Sequence, residues 1–158
     1  MGAQSLTCCL LAVALLAGCA DLSHRVVRVA DGDTVTAMRD GTEVKIRLVE
    51  IDAPEKAQAY GAASTQSLTE LCLNKVATLE EQGKDRYGRT LARVHCDGIN
   101  ANSEQVRLGM AWVYRRYTSK DSQLYAVEGE AKAARRGLWA DAEPVPPWEW
   151  RHREKSKD

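Results

Sequence analysis

The sequence predicts an α+β fold, mainly β: a five-stranded Greek-key barrel carrying about three helices. Two observations predict it. Segments of strand character come as three, then two, separated by one stretch of helical periodicity, and helical periodicity returns only towards the C-terminus. The first three strand segments are joined at Asp31-Gly32 and Asp40-Gly41, dipeptides suited to tight turns between antiparallel strands.

In chain order, residues 1–19 read as a targeting segment. Leu10 to Ala17 is an apolar run, extended backward by Leu6, that is too short to span a bilayer. It ends in Leu16-Ala17-Gly18-Cys19, which resembles the lipobox of bacterial lipoproteins, where the cysteine is lipidated and becomes the new N-terminus. Residues 1–5 depart from the usual signal pattern in carrying no Lys or Arg. The expectation is an exported protein anchored through lipid on Cys19 to the bacterial cell envelope, on its periplasmic or extracellular face. Residues 20–25 then read as a tether.

Val26–Val29 is the first expected strand, Thr34–Met38 the second and Val44–Ile51 the third. In the third, the apolar positions Val44, Ile46 and Leu48 give way to Val49 and Ile51. That parity switch cannot keep both sets inside a regular strand. A β-bulge between Leu48 and Val49 would repair it and set Lys45, Arg47, Glu50 and Asp52 on one polar face. Tyr60–Leu73 follows as a helix, with Ala63, Ser67, Leu71 and Leu68, Cys72 at helical spacing. Val76–Glu81 and Thr90–Cys96 are strands flanking the loop Asp85–Arg89. Ser103–Leu108 is a short helix closed by Gly109. A last helix, capped by Asp121, has the stripe Leu124, Val127, Ala131 and Ala134, and ends at Arg135-Arg136-Gly137. This order agrees with an OB fold over residues 26–140. From Glu143, the prolines at 144, 146 and 147 predict an extended segment, 141–158, clamped to the barrel by Trp148 and Trp150 and frayed from Arg151 onward. A base-stacking role for these tryptophans is the alternative.

With 22 Lys+Arg against 22 Asp+Glu, and none of either before Cys19, the mature chain is formally neutral. A domain that holds nucleic acid by bulk electrostatics should be basic, so any such contact must rest on local charge such as Arg47, Arg89 and Arg115-Arg116. Removal of the 18 residues before Cys19 takes away Cys8 and Cys9, lipid takes Cys19, and Cys72 and Cys96 remain. An even pair in an oxidising compartment invites a disulfide; two separate buried thiols are the alternative. His24, His95 and His152 are scattered without a partner motif and read as structural or solvated.

Three motifs carry the chemistry: Asp31-Gly32-Asp33-Thr34, Arg47 to Glu55 and Asp85-Arg86-Tyr87-Gly88-Arg89. Each alone has an ordinary explanation as a turn, a strand exit or a polar hairpin loop. In this order and spacing they resemble the staphylococcal (thermo)nuclease family, calcium-dependent nucleases built on a five-stranded OB barrel. The resemblance covers approximately Val26 to Trp139. It implies that Asp33 and Asp52 bind Ca2+ by their side chains and Ala53 by its backbone carbonyl, where many relatives have threonine. It implies Arg47 and Arg89 as the two catalytic guanidiniums and Glu55 as the group that orients or deprotonates the attacking water. Tyr117, with either Tyr114 or Arg115, falls where relatives line the nucleotide pocket. Tyr87 is expected to pack against its own hairpin. The implied activity is endonucleolytic hydrolysis of DNA and RNA, single-stranded or denatured by preference, leaving 3′-phosphate ends; no protein partner is implied, and a monomer is the default. An OB module that binds without cutting, and a structural envelope lipoprotein, are the rival readings.

Overall fold

The computed structural model describes residues 24–156; the targeting segment, Cys19 and residues 20–23 of the tether lie outside it. Five strands build the barrel: β1 (His24–Asp31), β2 (Thr34–Arg39), β3 (Thr42–Leu48), then β5 (Val76–Lys84) and β6 (Thr90–Cys96). They run in the order β3-β2-β1-β5-β6, and a parallel β3–β6 pairing closes the ring. Two register shifts within β1, at Val26/Arg28 and Val29/Asp31, give that strand the extra bend that closure demands. The two-residue strands β4 (Ile51–Asp52) and β8 (Trp112–Val113) pair with each other beside the barrel, and β7 (Ile99–Asn100) adds to the edge of β6. The tether is shorter than expected, because His24 and Arg25 already pair with β5.

Four α-helices pack around this frame: α1 (Gly61–Cys72), α2 (Ala101–Arg107), α3 (Leu124–Ala133) and α4 (Pro147–Lys155). Helix α1 buries Leu68 and Cys72 against the barrel core of Val26, Val35, Ile46, Leu48 and Val94. Each fully buried aliphatic side chain there contributes about 1.5–3 kcal/mol. Cys72 and Cys96 are joined in a disulfide, which staples the end of α1 to the end of β6. Asn100 caps α2, its side chain accepting from the Ser103 amide at 2.9 Å. Gly109 follows α2 with φ +67°, and a Cβ there would come within 2.1 Å of the Arg136 carbonyl oxygen, so only glycine lets these two loops touch. Helix α3 starts later than expected, and the Ser122 hydroxyl, not Asp121, takes the Leu124 amide.

Two expectations fail in instructive ways. The chain between Leu48 and Ile51 holds no bulge, since the β2–β3 register runs unbroken to Thr34–Arg47. It leaves the barrel altogether: Glu50 turns at φ +64° and Ile51-Asp52 joins β8 instead. This switch of sheets is what the parity change records. The segment after Glu143 is not extended to its end either. Pro147 occupies the first turn of α4, where a proline has no helical hydrogen bond to lose. The prolines start this helix; they do not prevent it.

Candidate active site

A cleft of about 920 Å³ opens where β3, β4, the β5–β6 loop, the turn after β8 and α4 meet. Asp33, Arg47, Asp52, Ala53, Glu55 and Arg89 all line it, so the structure gathers every residue of the expected metal and catalytic sets around one space.

Asp33 stands at the entry to β2, directly after Gly32. A Cβ on Gly32 would fall 1.8 Å from the Ser64 hydroxyl oxygen, so the tight packing of this turn on α1 requires glycine. The buried Gln105 amide donates to the Gly32 carbonyl at 2.7 Å and fixes the turn from below. Asp33 is buried; its Oδ2 accepts from the Ala53 amide at 2.8 Å and its Oδ1 from the Thr34 hydroxyl at 3.1 Å. Arg47 projects from β3, and its Nη2 lies 3.1 Å from Asp33 Oδ2 and 3.1 Å from Asp52 Oδ1. Its Nη1 donates to the Leu48 carbonyl at 2.6 Å and the Ile51 carbonyl at 3.1 Å. The sheet switch therefore does bring Arg47 and Asp52 together, by a route other than a bulge. Burial pushes the Asp33 carboxyl up to about 7, outweighing the attraction of Arg47.

Glu50 does not join the polar face expected of it. It is buried and grips Arg93 with both oxygens, at 2.7 and 3.0 Å. Its carbonyl accepts from the Tyr114 amide at 2.8 Å and the Thr118 hydroxyl at 3.0 Å, while Asn102 holds the Val49 carbonyl at 2.8 Å. These bonds lock the crossing that aims Asp52 at the cleft.

Arg89 sits at the end of a self-capped loop. Asp85 Oδ1 accepts from the Tyr87 and Arg89 amides at 2.9 and 3.0 Å, and Oδ2 takes Arg89 Nε at 2.7 Å. Desolvation would raise the Asp85 carboxyl, but these hydrogen bonds hold it below the ordinary range. Tyr87 is exposed, with the Arg86 and Arg89 guanidiniums over its ring at 4.8 and 5.7 Å, so it does pack within its own hairpin.

Of the expected substrate contacts, Tyr114 and Tyr117 line the cleft and meet edge to face at 5.0 Å. Arg115 does not line it. It turns outward to Glu128 at 3.4 Å and over the Tyr125 ring, and Arg116 faces the cleft in its place. The most consequential residue missed by the sequence reading is Arg151, expected in a frayed tail. From α4 its Nη2 reaches Asp52 Oδ2 at 2.7 Å and its Nη1 reaches Glu55 Oε1 at 2.8 Å.

Among the described residues, no three His, Cys, Asp or Glu side chains gather closely enough to hold a metal by themselves. Two buried carboxylates bridged by Arg47, beside a buried backbone segment at Ala53, still form a hard-oxygen donor set. That fits a calcium ion, which accepts carboxylate, carbonyl and water oxygens in a site only partly supplied by protein.

Residues 45–141 match the family described as staphylococcal nuclease homologue. The chain belongs to the staphylococcal nuclease family. Similar proteins include an "uncharacterized endonuclease" of Escherichia coli O157:H7, 52% identical over 136 residues that make up 85% of this chain and 88% of that protein. A Haemophilus influenzae protein of the same designation is 45% identical over 153 residues, 95% of this chain and 85% of its own length. A "micrococcal nuclease" of Shigella flexneri is 39% identical over 147 residues, 87% and 84% of the two chains. The family match starts after Asp33 and stops before α4, so part of the cleft wall comes from outside the matched span.

Proposed function

We infer that this protein is a nuclease, a phosphodiester hydrolase cutting within nucleic-acid chains, and we propose that it is calcium-dependent, acts on DNA and RNA with single-stranded or denatured substrate preferred, and leaves 3′-phosphate ends. One observation carries the reading. A cleft belonging to a nuclease-family chain holds Asp33, Asp52, Arg47, Arg89 and Glu55 together.

A phosphodiester resists hydrolysis because its negative charge repels a nucleophilic water. Arg89 presents a planar, permanently protonated fork to the non-bridging oxygens, and Arg47, its terminal nitrogens held by Asp33, Asp52 and two carbonyls, adds a fixed positive charge beside them; together they neutralise the diester and stabilise the charge that builds in the transition state. Glu55 Oε1 is held by Arg151; its Oε2 orients a water and takes its proton as the new O–P bond forms. The P–O5′ bond breaks as the leaving oxygen receives a proton, with an arginine assisting its departure, and the products are a 3′-phosphate and a 5′-hydroxyl. Asp33, Asp52 and the Ala53 carbonyl would hold calcium, which supplies a Lewis acid beside the scissile phosphate. Tyr114 and Tyr117 offer stacking surface for a base.

The remaining readings of location are proposals of the same kind. The lipobox-like Leu16–Cys19 supports a lipid anchor on the bacterial envelope, and the Cys72–Cys96 disulfide accords with an oxidising compartment. Among the described residues no helix is long and apolar enough to cross a membrane.

The test is cleavage of denatured DNA and of RNA by the purified protein, with calcium and with chelator, alongside Arg47→Ala and Glu55→Ala. Calcium-dependent cutting lost in both variants supports the reading. Tight binding without cutting would leave a nucleic-acid-binding barrel in its place.

A further inference from the structure

Helix α4 lies beyond the matched family segment, which ends at residue 141, yet it reaches the centre of the cleft. Trp148, Arg151 and Lys155 are spaced three and four residues apart, so they share one helical face. Trp148 lies parallel to Tyr114, centroids 5.6 Å apart at 4°, and meets Trp112 edge-on at 5.7 Å. With that end of the face pinned, Arg151 and Lys155 point into the cleft. Gln58 adds a second tie. Its Nε2 donates to the Val145 carbonyl at 2.6 Å, just before α4, and its Oε1 accepts from the Glu55 amide at 3.1 Å. One side chain thus connects the approach to α4 with the loop that carries Glu55.

We propose that Arg151 is a third arginine of the active site, a positioning residue that fixes Glu55 relative to Asp52, so that α4 completes the site the barrel begins. The proposal rests on the nuclease reading, because it uses the role given there to Glu55. The physical case is one of crowding. Asp33, Asp52 and Glu55 are three carboxylates around one cleft, and Arg47 serves only the first two. Glu55 is the most exposed of the three, on a side chain with three rotatable bonds. Repulsion from Asp52 would send it into solvent, where it could not hold a water against the phosphate. The Arg151 fork reverses that repulsion, taking Asp52 Oδ2 at 2.7 Å with one nitrogen and Glu55 Oε1 at 2.8 Å with the other. A compact ammonium could not span both in the same way.

The experiment uses the full-length protein, denatured DNA and calcium, with steady-state kcat and KM for wild type, Arg151→Ala and Arg151→Lys, each checked by thermal melting. Calcium affinity of each is measured by calorimetry. Arg151→Ala is expected to lose about 10²-fold in kcat with little change in KM, the scale of a misplaced catalytic group. Calcium affinity should not fall, since Asp33, Asp52 and Arg47 are all retained and the loss of a positive charge beside Asp52 favours a cation there. Low-millimolar guanidinium ion should restore part of the lost rate in Arg151→Ala, which a merely structural role would not allow. Should Arg151→Ala fail to fold, Arg151→Lys carries the test: at unchanged melting temperature it should lose at least about tenfold in kcat, since it keeps the charge without the fork. Wild-type kcat in both variants overturns the proposal. So does a gain in rate in Arg151→Ala, which would make α4 a plug over the site. If wild type itself does not cut with calcium, the nuclease reading falls and takes this proposal with it; if wild type cuts and the variants match it, this proposal alone falls.

Discussion

Asp52 is gripped by two arginines of very different origin. Arg47 comes from the barrel, five residues away in sequence, with only 14% of its side chain exposed and two backbone carbonyls fixing one nitrogen. Arg151 comes from 99 residues away on a nine-residue helix, is 37% exposed, and depends on aromatic contacts and one glutamine to hold its helix in place. The difference teaches how this site divides its labour. The barrel half forms whenever the protein folds, because its geometry is that of β3 and the sheet switch. The tail half rests on the few contacts of α4, so it is expected to open locally before the barrel unfolds.

That division can be broken at several points. Arg47→Ala should have the largest effect, about 10²–10³-fold in kcat. Stripping buried Asp33 of its guanidinium, and Asp52 of one of its two, should also cost about 3–5 kcal/mol in stability, read by denaturant titration. Arg89→Ala should match it in rate but leave stability nearly unchanged, since its partner Asp85 lies on an open loop. If both variants lose stability equally, the contrast between core-borne and loop-borne arginines is wrong.

Trp148→Ala tests the tail half. Undocking α4 withdraws Arg151 with it, so cleavage should slow by up to about 10²-fold while the melting temperature barely moves, and proteolysis should cut after Asp141 sooner than in wild type. An unchanged rate would show that α4 holds its place without the Tyr114 stack.

A third prediction follows from Asp33, whose carboxyl is raised from 3.8 to about 7 by burial. Between those values the folded chain keeps a proton that the unfolded chain has lost, so this group's contribution to stability falls as pH rises from about 4 to 7. Calcium must displace that proton. Its affinity should therefore climb by up to about tenfold per pH unit below 7 and flatten above it, measured by calorimetry. A flat profile from pH 5 to 8 would mean that Asp33 is already ionised. The smallest effect on rate belongs to the disulfide. Replacing Cys72 and Cys96 by serine should remove about 3 kcal/mol of stability for a loop of this length, with kcat near wild type at low temperature.

The same comparison shows what the sequence could reveal. Asp33, Arg47, Asp52 and Glu55 were legible because short-range motifs place them: a glycine turn, and a strand exit ending in proline. The parity change at Leu48-Val49 was a true signal of an interruption. Periodicity alone cannot tell an inserted residue from a change of sheet, and so Glu50 was set on the wrong face. The sequence leaves Tyr114 and Arg115 as alternatives, and Arg116 only as local charge, for a related reason, since a three-residue 3-10 turn at Arg115–Tyr117 follows neither strand nor helix spacing. Arg151 was not legible as a site residue, because its partners are 96 and 99 positions away. Its helix was. Pro147 at a first turn, eight residues free of glycine and proline, and Glu149 with Arg153 four apart all mark a helix start that the prolines obscured.

Whether Asp33 and Asp52 make this a calcium-dependent phosphodiesterase is decided by cleavage rate against calcium concentration for wild type and Asp52→Asn. The account predicts a wild-type rate that saturates with calcium and vanishes in chelator, and a variant needing at least about tenfold more calcium to reach half its own maximum. Cutting that persists in chelator, or an Asp52→Asn curve that overlays wild type, would contradict it.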